Sequence, residues 1–225
     1  MLPYVILHNA ISLDGKVTGF DADIGAYYEL VSTWKEDATL VGADTMLSAP
    51  DEIPPEDDSA FQPWPQMEND TRPLLVIPDS HGRVRSWHYL KTLPYWRGGI
   101  ALCSETTPPE HLAYLDARHI TRITAGDTHV DMRDALEELF KNHGVKILRM
   151  DSGGTLNGIM LLAGLVSEIS LLVHPQLVGS ADVKSFLITH QPCGVRLELA
   201  GVEKRGEALV WLRYKVADTQ TINPL

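Results

Sequence analysis

The residues of this chain best placed to do chemistry lie in Asp151-Ser152-Gly153-Gly154-Thr155-Leu156. Upstream, Val145 to Met150 reads as a short strand; downstream, Leu156, Ile159, Met160 and Ala163 recur at the spacing of one helix face. A strand that runs through two glycines into a helix offers free backbone N–H groups at a helix N-terminus. That end carries about half a positive charge, and without Cβ atoms a phosphate can come close. The turn therefore reads as a phosphate cradle, the bland alternative being a tight turn that needs positive φ. Other familiar chemistries are missing: no G-x-G-x-x-G after the first strand, no G-x-x-x-x-G-K-[ST], no H-E-x-x-H and no G-x-S-x-G. The nine histidines show no metal-ligand spacing, so no metal site is expected. His8, inside an apolar run, reads as a hydrogen-bonded core or cleft histidine.

Around these residues, strands and helices alternate. Strands are expected over Tyr4–Ala10, Ala38–Gly42, Leu74–Ile77, Gly99–Cys103 and Leu165–Val173, and helices over Ala26–Lys35, Pro108–Leu115 and Asp131–Asn142. Val195–Val202 and Ala208–Val216 form a hairpin pattern. This predicts one α/β domain, residues 1–225, with a mixed, mostly parallel sheet ending in an antiparallel C-terminal hairpin. Residues 50–73, with six prolines and many acids, read as an irregular loop insertion in which Phe61 and Trp64 suggest packing.

At 225 residues, 44% hydrophobic and 22% charged, the chain has the composition of a soluble globular protein. A net charge of −11 argues against a nucleic-acid partner without excluding an anionic cofactor. Two cysteines without C-x-x-C spacing, no basic leader and no membrane-length apolar run predict a cytoplasmic protein.

Six segments in order resemble one family over nearly the whole chain. They are Ser12-Leu13-Asp14-Gly15-Lys16, Leu40-Val41-Gly42-Ala43-Asp44-Thr45, Val76-Ile77-Pro78-Asp79-Ser80-x-x-Arg83, Gly153–Gly158, Ala163–Glu168 and Pro175–Gly179. The pattern resembles the riboflavin-biosynthesis pyrimidine reductases, the C-terminal half of the bifunctional deaminase-reductase, with a dihydrofolate-reductase-like three-layer fold. The zinc motif of the deaminase half is absent, which predicts a stand-alone reductase.

The resemblance implies NADPH-dependent reduction of the ribosyl group of a phosphorylated aminopyrimidine to ribityl, and a homodimer. It places the cofactor pyrophosphate on Gly153, Gly154, Thr155 and Leu156, adds the Thr45 hydroxyl, sets the 2′-phosphate on Ser80 and Arg83, and meets the carboxamide at Ala10. Each has a plain alternative: a generic turn at Asp79–Gly82, a solvated Arg83, a helix N-cap at Thr45. Lys16 and Asp151 are the candidate catalytic residues, and Asp14 and Asp51 the candidate substrate contacts. A lysine beyond a central strand can stabilise negative charge on a substrate; it could equally be an exposed loop lysine.

Two departures stand out. Asp151-Ser152-Gly153 replaces the family's Glu-Gly-Gly, and an acidic, proline-rich stretch replaces a segment that contributes to phosphate binding, with Asp51 standing in for its aspartate. Carboxylates there would repel a sugar phosphate. The same chemistry on a pterin-like or carbonyl substrate, and a non-catalytic nucleotide-binding protein, are the other readings.

Overall fold

Alternating strand and helix patterns produce an α/β chain in the computed structural model, which describes residues 1–48 and 52–219. The strands are β1 (Tyr4–Ser12), β2 (Ala38–Leu40), β3 (Leu74–Pro78), β4 (Gly98–Cys103), β5 (Thr121–Thr124), β6 (Ile147–Met150), β7 (Glu168–His174), β8 (Val195–Arg205) and β9 (Leu209–Thr219). The helices are α1 (Ile24–Val31), α2 (Ala43–Ser48), α3 (Trp87–Thr92), α4 (Pro109–Ala117), α5 (Met132–His143) and α6 (Gly154–Leu162). Among the described residues the strands hydrogen-bond in the order β5-β4-β3-β2-β6-β1-β7-β9-β8. β1–β7, β2–β3, β3–β4 and β4–β5 pair in parallel, whereas β9 runs antiparallel to both β7 and β8. The expected sheet, mostly parallel with an antiparallel C-terminal pair, is the one that forms. The sequence reading did not anticipate α3 or β5. Six residues carry little helical periodicity, and β5 buries only Ile123, so its apolar signal is weak.

Contacts gather into two compact units, one of Met1–Pro3 and Glu36–Leu148, the other of Tyr4–Lys35 and Arg149–Leu225. In the first, Val41, Leu75, Ile77, Ala101 and Cys103 of the parallel strands pack with Trp64, Trp87, Leu90 and Leu115. The described part of the acidic loop is fixed to this unit. Trp64 is buried with its indole N–H on the Trp96 carbonyl at 3.3 Å. The Lys91 ammonium donates to the carbonyls of Ala60, Gln62 and Arg118 at 3.0, 2.6 and 2.6 Å, three acceptors for three protons. Phe61 stays exposed, below the Arg118 guanidinium. Three of the loop's acids serve its own fold: Glu56 pairs with Arg118 and His88, Asp57 caps the 3₁₀ turn Asp58–Phe61, and Asp70 grips Arg72.

The second unit carries β1, β7, β9 and β8, with Tyr27 and Leu30 of α1 packed on Leu172 and Trp211. α1 starts at Asp23, whose carboxylate accepts the Ala26 N–H at 2.8 Å and whose own N–H bonds His174 Nε2 at 2.9 Å. The buried face of α6 differs from the apolar stripe read in the sequence. Met160 is buried as expected, but Ile159 is 51% exposed, and Gly154, Asn157, Gly158 and Leu161 also face inward. Small residues are needed there because the chain at 185–188 lies directly on the helix. A Cβ at Gly154 would meet the Ser185 carbonyl oxygen, and one at Gly158 the Ile188 carbonyl oxygen. No helix among the described residues is long and apolar enough to cross a membrane.

Candidate active site

In the second unit, a polar network organises the turn between β6 and α6. The Asn157 side chain, fully buried, donates to Asn9 Oδ1 at 2.8 Å and to the Phe186 carbonyl at 2.6 Å, and accepts the Ser152 hydroxyl at 2.7 Å. Asn9 in turn donates to the Ser152 carbonyl at 3.1 Å. Three tertiary hydrogen bonds and one internal one thus hold residues 152–157. Gly153 is the N-cap in an extended conformation, and a Cβ on it would meet nothing within 4 Å. The N–H groups of Gly154, Thr155 and Leu156 lie in the first helical turn, where intrahelical acceptors are lacking. The two glycines therefore differ. Gly153 borders open space, and Gly154 is required by its own chain.

Asp151 precedes this turn, with its side chain 31% exposed. Its Oδ2 accepts from Arg149 at 3.1 Å, and the same guanidinium nitrogen reaches the Tyr27 hydroxyl at 3.5 Å. His8 stacks on the Tyr27 ring at 4.4 Å and hydrogen-bonds Ser170 Oγ through Nδ1 at 3.0 Å. Burial pulls the His8 imidazole down to about 4, helped by the Arg149 charge; burial and the Asp151 charge hold the Tyr27 phenol well above its usual range. His8 is thus the hydrogen-bonded core histidine expected, and no group of three metal-ligating side chains exists among the described residues.

The turn after β1 is equally fixed. Lys16 N–H donates to Ser12 Oγ, and its ammonium to the Val183 carbonyl and Ser185 hydroxyl at 3.2 and 3.3 Å. Asp14 accepts from Ser12 Oγ at 2.6 Å and from the N–H groups of Val178 and Gly179, which hold its carboxyl well below the usual range. Asp14 therefore anchors its loop to 178–179. Ala10 lies half-buried on β1 beside the α1 core.

In the first unit, Thr45 is the third residue of α2, exposed, and not its N-cap. The turn after β3 is held by buried Asp79, which accepts the Val84 N–H at 2.7 Å. Ser80 Oγ accepts the Val130 N–H at 3.0 Å, and Arg83 pairs with Asp44 at 2.8 Å on the surface. Asp51 lies outside the described residues. Lys16, Thr45, Ser80 and Gly153 each follow the carboxyl end of a strand, β1, β2, β3 and β6 in turn, and open α/β sheets bind ligands beyond such ends. Sequence reasoning missed Arg149, Tyr27 and Asn157. Arg149 leaves a trace, a cation inside an apolar strand two residues before the key carboxylate.

Comparison with known proteins decides the family. The RibD C-terminal domain matches residues 3–211, a stretch that runs through both units. The chain belongs to that family. A 2,5-diamino-6-ribosylamino-4(3H)-pyrimidinone 5′-phosphate reductase of Methanothermobacter thermautotrophicus is 31% identical over 222 residues, 93% of this chain and 97% of the relative. Among solved structures, Acinetobacter baumannii RibD superposes with a TM-score of 0.68 at 19% identity, over 96% of this chain and 58% of that one. A dihydrofolate reductase from Enterococcus faecalis, complexed with NADP(H), gives a TM-score of 0.51 at 10% identity, over 96% and 97%. The fold of this RibD-family chain is thus dihydrofolate-reductase-like, within an oxidoreductase family of riboflavin biosynthesis.

Proposed function

We propose that this protein is an NADPH-dependent reductase that converts the ribosyl group of a phosphorylated diaminopyrimidine to ribityl. The observation that carries the reading is the end-to-end likeness to the Methanothermobacter reductase, which extends over 97% of that protein. The cofactor residues fit the assignment: the Cα of Gly153 borders open space beside the first-turn N–H groups of α6, and Arg83 and Thr45 are solvent-accessible. When bound, NADPH supplies the hydride. Gly153, Gly154, Thr155 and Leu156 would hold its pyrophosphate, with Thr45 adding a hydroxyl, Arg83 and Ser80 its 2′-phosphate, and Ala10 the carboxamide. Lys16, its ammonium already fixed by two oxygens, stabilises negative charge on the substrate. Asp151 orients or exchanges a proton with a substrate hydroxyl.

We also propose a homodimer built on the C-terminal hairpin. A register shift between Leu199 and Gly201 brings Val202 onto the face of Leu197 and Leu199, opposite Val216, Tyr214 and Leu212 of β9. Leu197, Leu199 and Val202 are exposed, and a second copy would cover them.

Two assays test the function. The purified protein should oxidise NADPH when given the pyrimidine phosphate, and its gene should rescue a riboflavin auxotroph. NADPH binding without turnover or rescue would leave another substrate or a non-catalytic nucleotide-binding protein, which NADPH consumption with a panel of carbonyl compounds separates; absence of NADPH binding would remove the reductase reading altogether.

A further inference from the structure

β6 is an apolar strand interrupted by a buried arginine. Arg149, its side chain 5% exposed, cannot shed its proton, and a guanidinium in such a place is tolerated only when paired. Residues two apart along an extended chain point the same way, which brings Asp151 to the same side. The pair closes at 3.1 Å. Behind it, Arg149 donates to the Tyr27 hydroxyl at 3.5 Å, and that hydroxyl lies 3.2 Å from the His8 carbonyl. The Tyr27 ring is clamped by His8, and His8 by Ser170, whose hydroxyl accepts the Trp211 indole N–H at 2.8 Å. A chain of buried polar contacts therefore runs from β9 to the partly exposed carboxylate of Asp151.

We propose that Arg149 and Tyr27 are positioning residues that fix the Asp151 carboxylate, as an anion in one orientation, for the substrate. The proposal rests on the reductase reading above, in which Asp151 faces substrate. A lone aspartate at the mouth of a site would rotate about two bonds; a guanidinium on one side, itself braced by the Tyr27 phenol, removes that freedom, as preorganised sites require. The groups facing Asp151 are Arg149 from β6, Tyr27 with Tyr28 beside it from α1, and His8 from β1. Burial keeps His8 neutral above pH 5, so Arg149 is the cation acting on the carboxylate at working pH. Asp151, one methylene shorter than the family's usual glutamate, thus comes with its own holder.

The test uses Arg149→Met, Arg149→Lys and Tyr27→Phe, each checked for folding by circular dichroism. Crystal structures of the variants show the carboxylate directly: Asp151 should hold one rotamer in the wild type and spread over several in Arg149→Met. Arg149→Lys should restore the single rotamer. With the pyrimidine phosphate, Arg149→Met should lower kcat at least about tenfold, leave NADPH affinity within about twofold, and cost nothing further when added to Asp151→Asn. Tyr27→Phe, which keeps the ring stack, should lower kcat by a smaller factor. An unmoved Asp151 rotamer in folded Arg149→Met, or an equal loss of kcat in the Asp151→Asn background, would overturn the proposal. If the wild type does not reduce the pyrimidine, the reductase reading fails by itself, and the Asp151 rotamer in Arg149→Met still decides whether Arg149 holds the carboxylate.

Discussion

Arg83 has a neighbour that would compete with the proposed 2′-phosphate. Its pair with Asp44 is exposed on both sides, and such pairs contribute at most about 1 kcal/mol. A charge-assisted contact to a phosphate dianion is worth roughly 1.5–3 kcal/mol, so on the proposed reading a 2′-phosphate would displace the aspartate. Arg83→Ala should accordingly weaken NADPH binding about ten- to a hundredfold while NADH binding hardly changes, and Asp44→Asn should strengthen NADPH binding by less than about fivefold. Calorimetry on both cofactors decides it, and equal affinities of the wild type for NADPH and NADH would remove the 2′-phosphate role. Lys16→Met should cut turnover while NADPH affinity stays within about twofold, because the lost charge acts on the reacting ligand; full activity in that variant would displace the substrate from the end of β1.

At the scale of elements, the N-terminal end of α6 separates two demands that the sequence motif merges. Gly158→Ala places a methyl on the Ile188 carbonyl, and either the helix or the 185–188 segment must move. Overpacking of this kind costs about 1–3 kcal/mol, readable in urea unfolding, and should expose the segment to proteolysis. A valine at Gly154 would fail for the same packing reason, whatever the phosphate does. Gly153 is the informative position, since its φ of −79° suits any residue and the space beyond is open. Gly153→Val should leave stability within about 0.5 kcal/mol yet weaken NADPH at least about tenfold. Unchanged affinity in that variant would mean that no phosphate lies over this turn.

For the whole molecule, acid stability and assembly are the measurable consequences. His8 takes up a proton near 4 in the fold and near its ordinary 6.5 in the unfolded chain. Between those values the unfolded state binds the extra proton, so stability falls as pH falls, with a slope approaching about 1.4 kcal/mol per pH unit; above 6.5 the group contributes nothing. Burial lowers the His111 imidazole too, and its contribution has the same sign. Chemical denaturation from pH 7 to 4 should therefore show a steeper loss in wild type than in His8→Gln, and parallel curves would discount the histidine. In solution, light scattering should give twice the 24.9 kDa of one chain, and Leu199→Glu should return the single-chain mass. A wild-type mass of one chain at micromolar concentration refutes the dimer.

The strands and the longer helices were legible in the sequence because they depend on local periodicity: the apolar run of β1, the amphipathic α5, the alternation of β8 and β9. The family was legible too, since its glycines, its Asp-Gly-Lys turn and its Ser-x-x-Arg turn are local signals in fixed order. Tertiary structure decided what those signals are for. The spacing of apolar residues put Ile159 inside with Met160, yet α6 turns Gly154 and Gly158 inward beside Met160 and leaves Ile159 out, because a segment about thirty residues away must lie against Gly158. The acids of the loop insertion read as repelling a sugar phosphate; in three dimensions Arg118, Arg72, His88 and the loop's own backbone take up Glu56, Asp57 and Asp70. Arg149 went unremarked within its strand, and only the approach of α1 brings a phenol, stacked on the His8 imidazole of β1, to its guanidinium. Local pattern fixes which elements form, through backbone geometry and apolar spacing. Which polar groups find partners depends on contacts between residues distant in sequence.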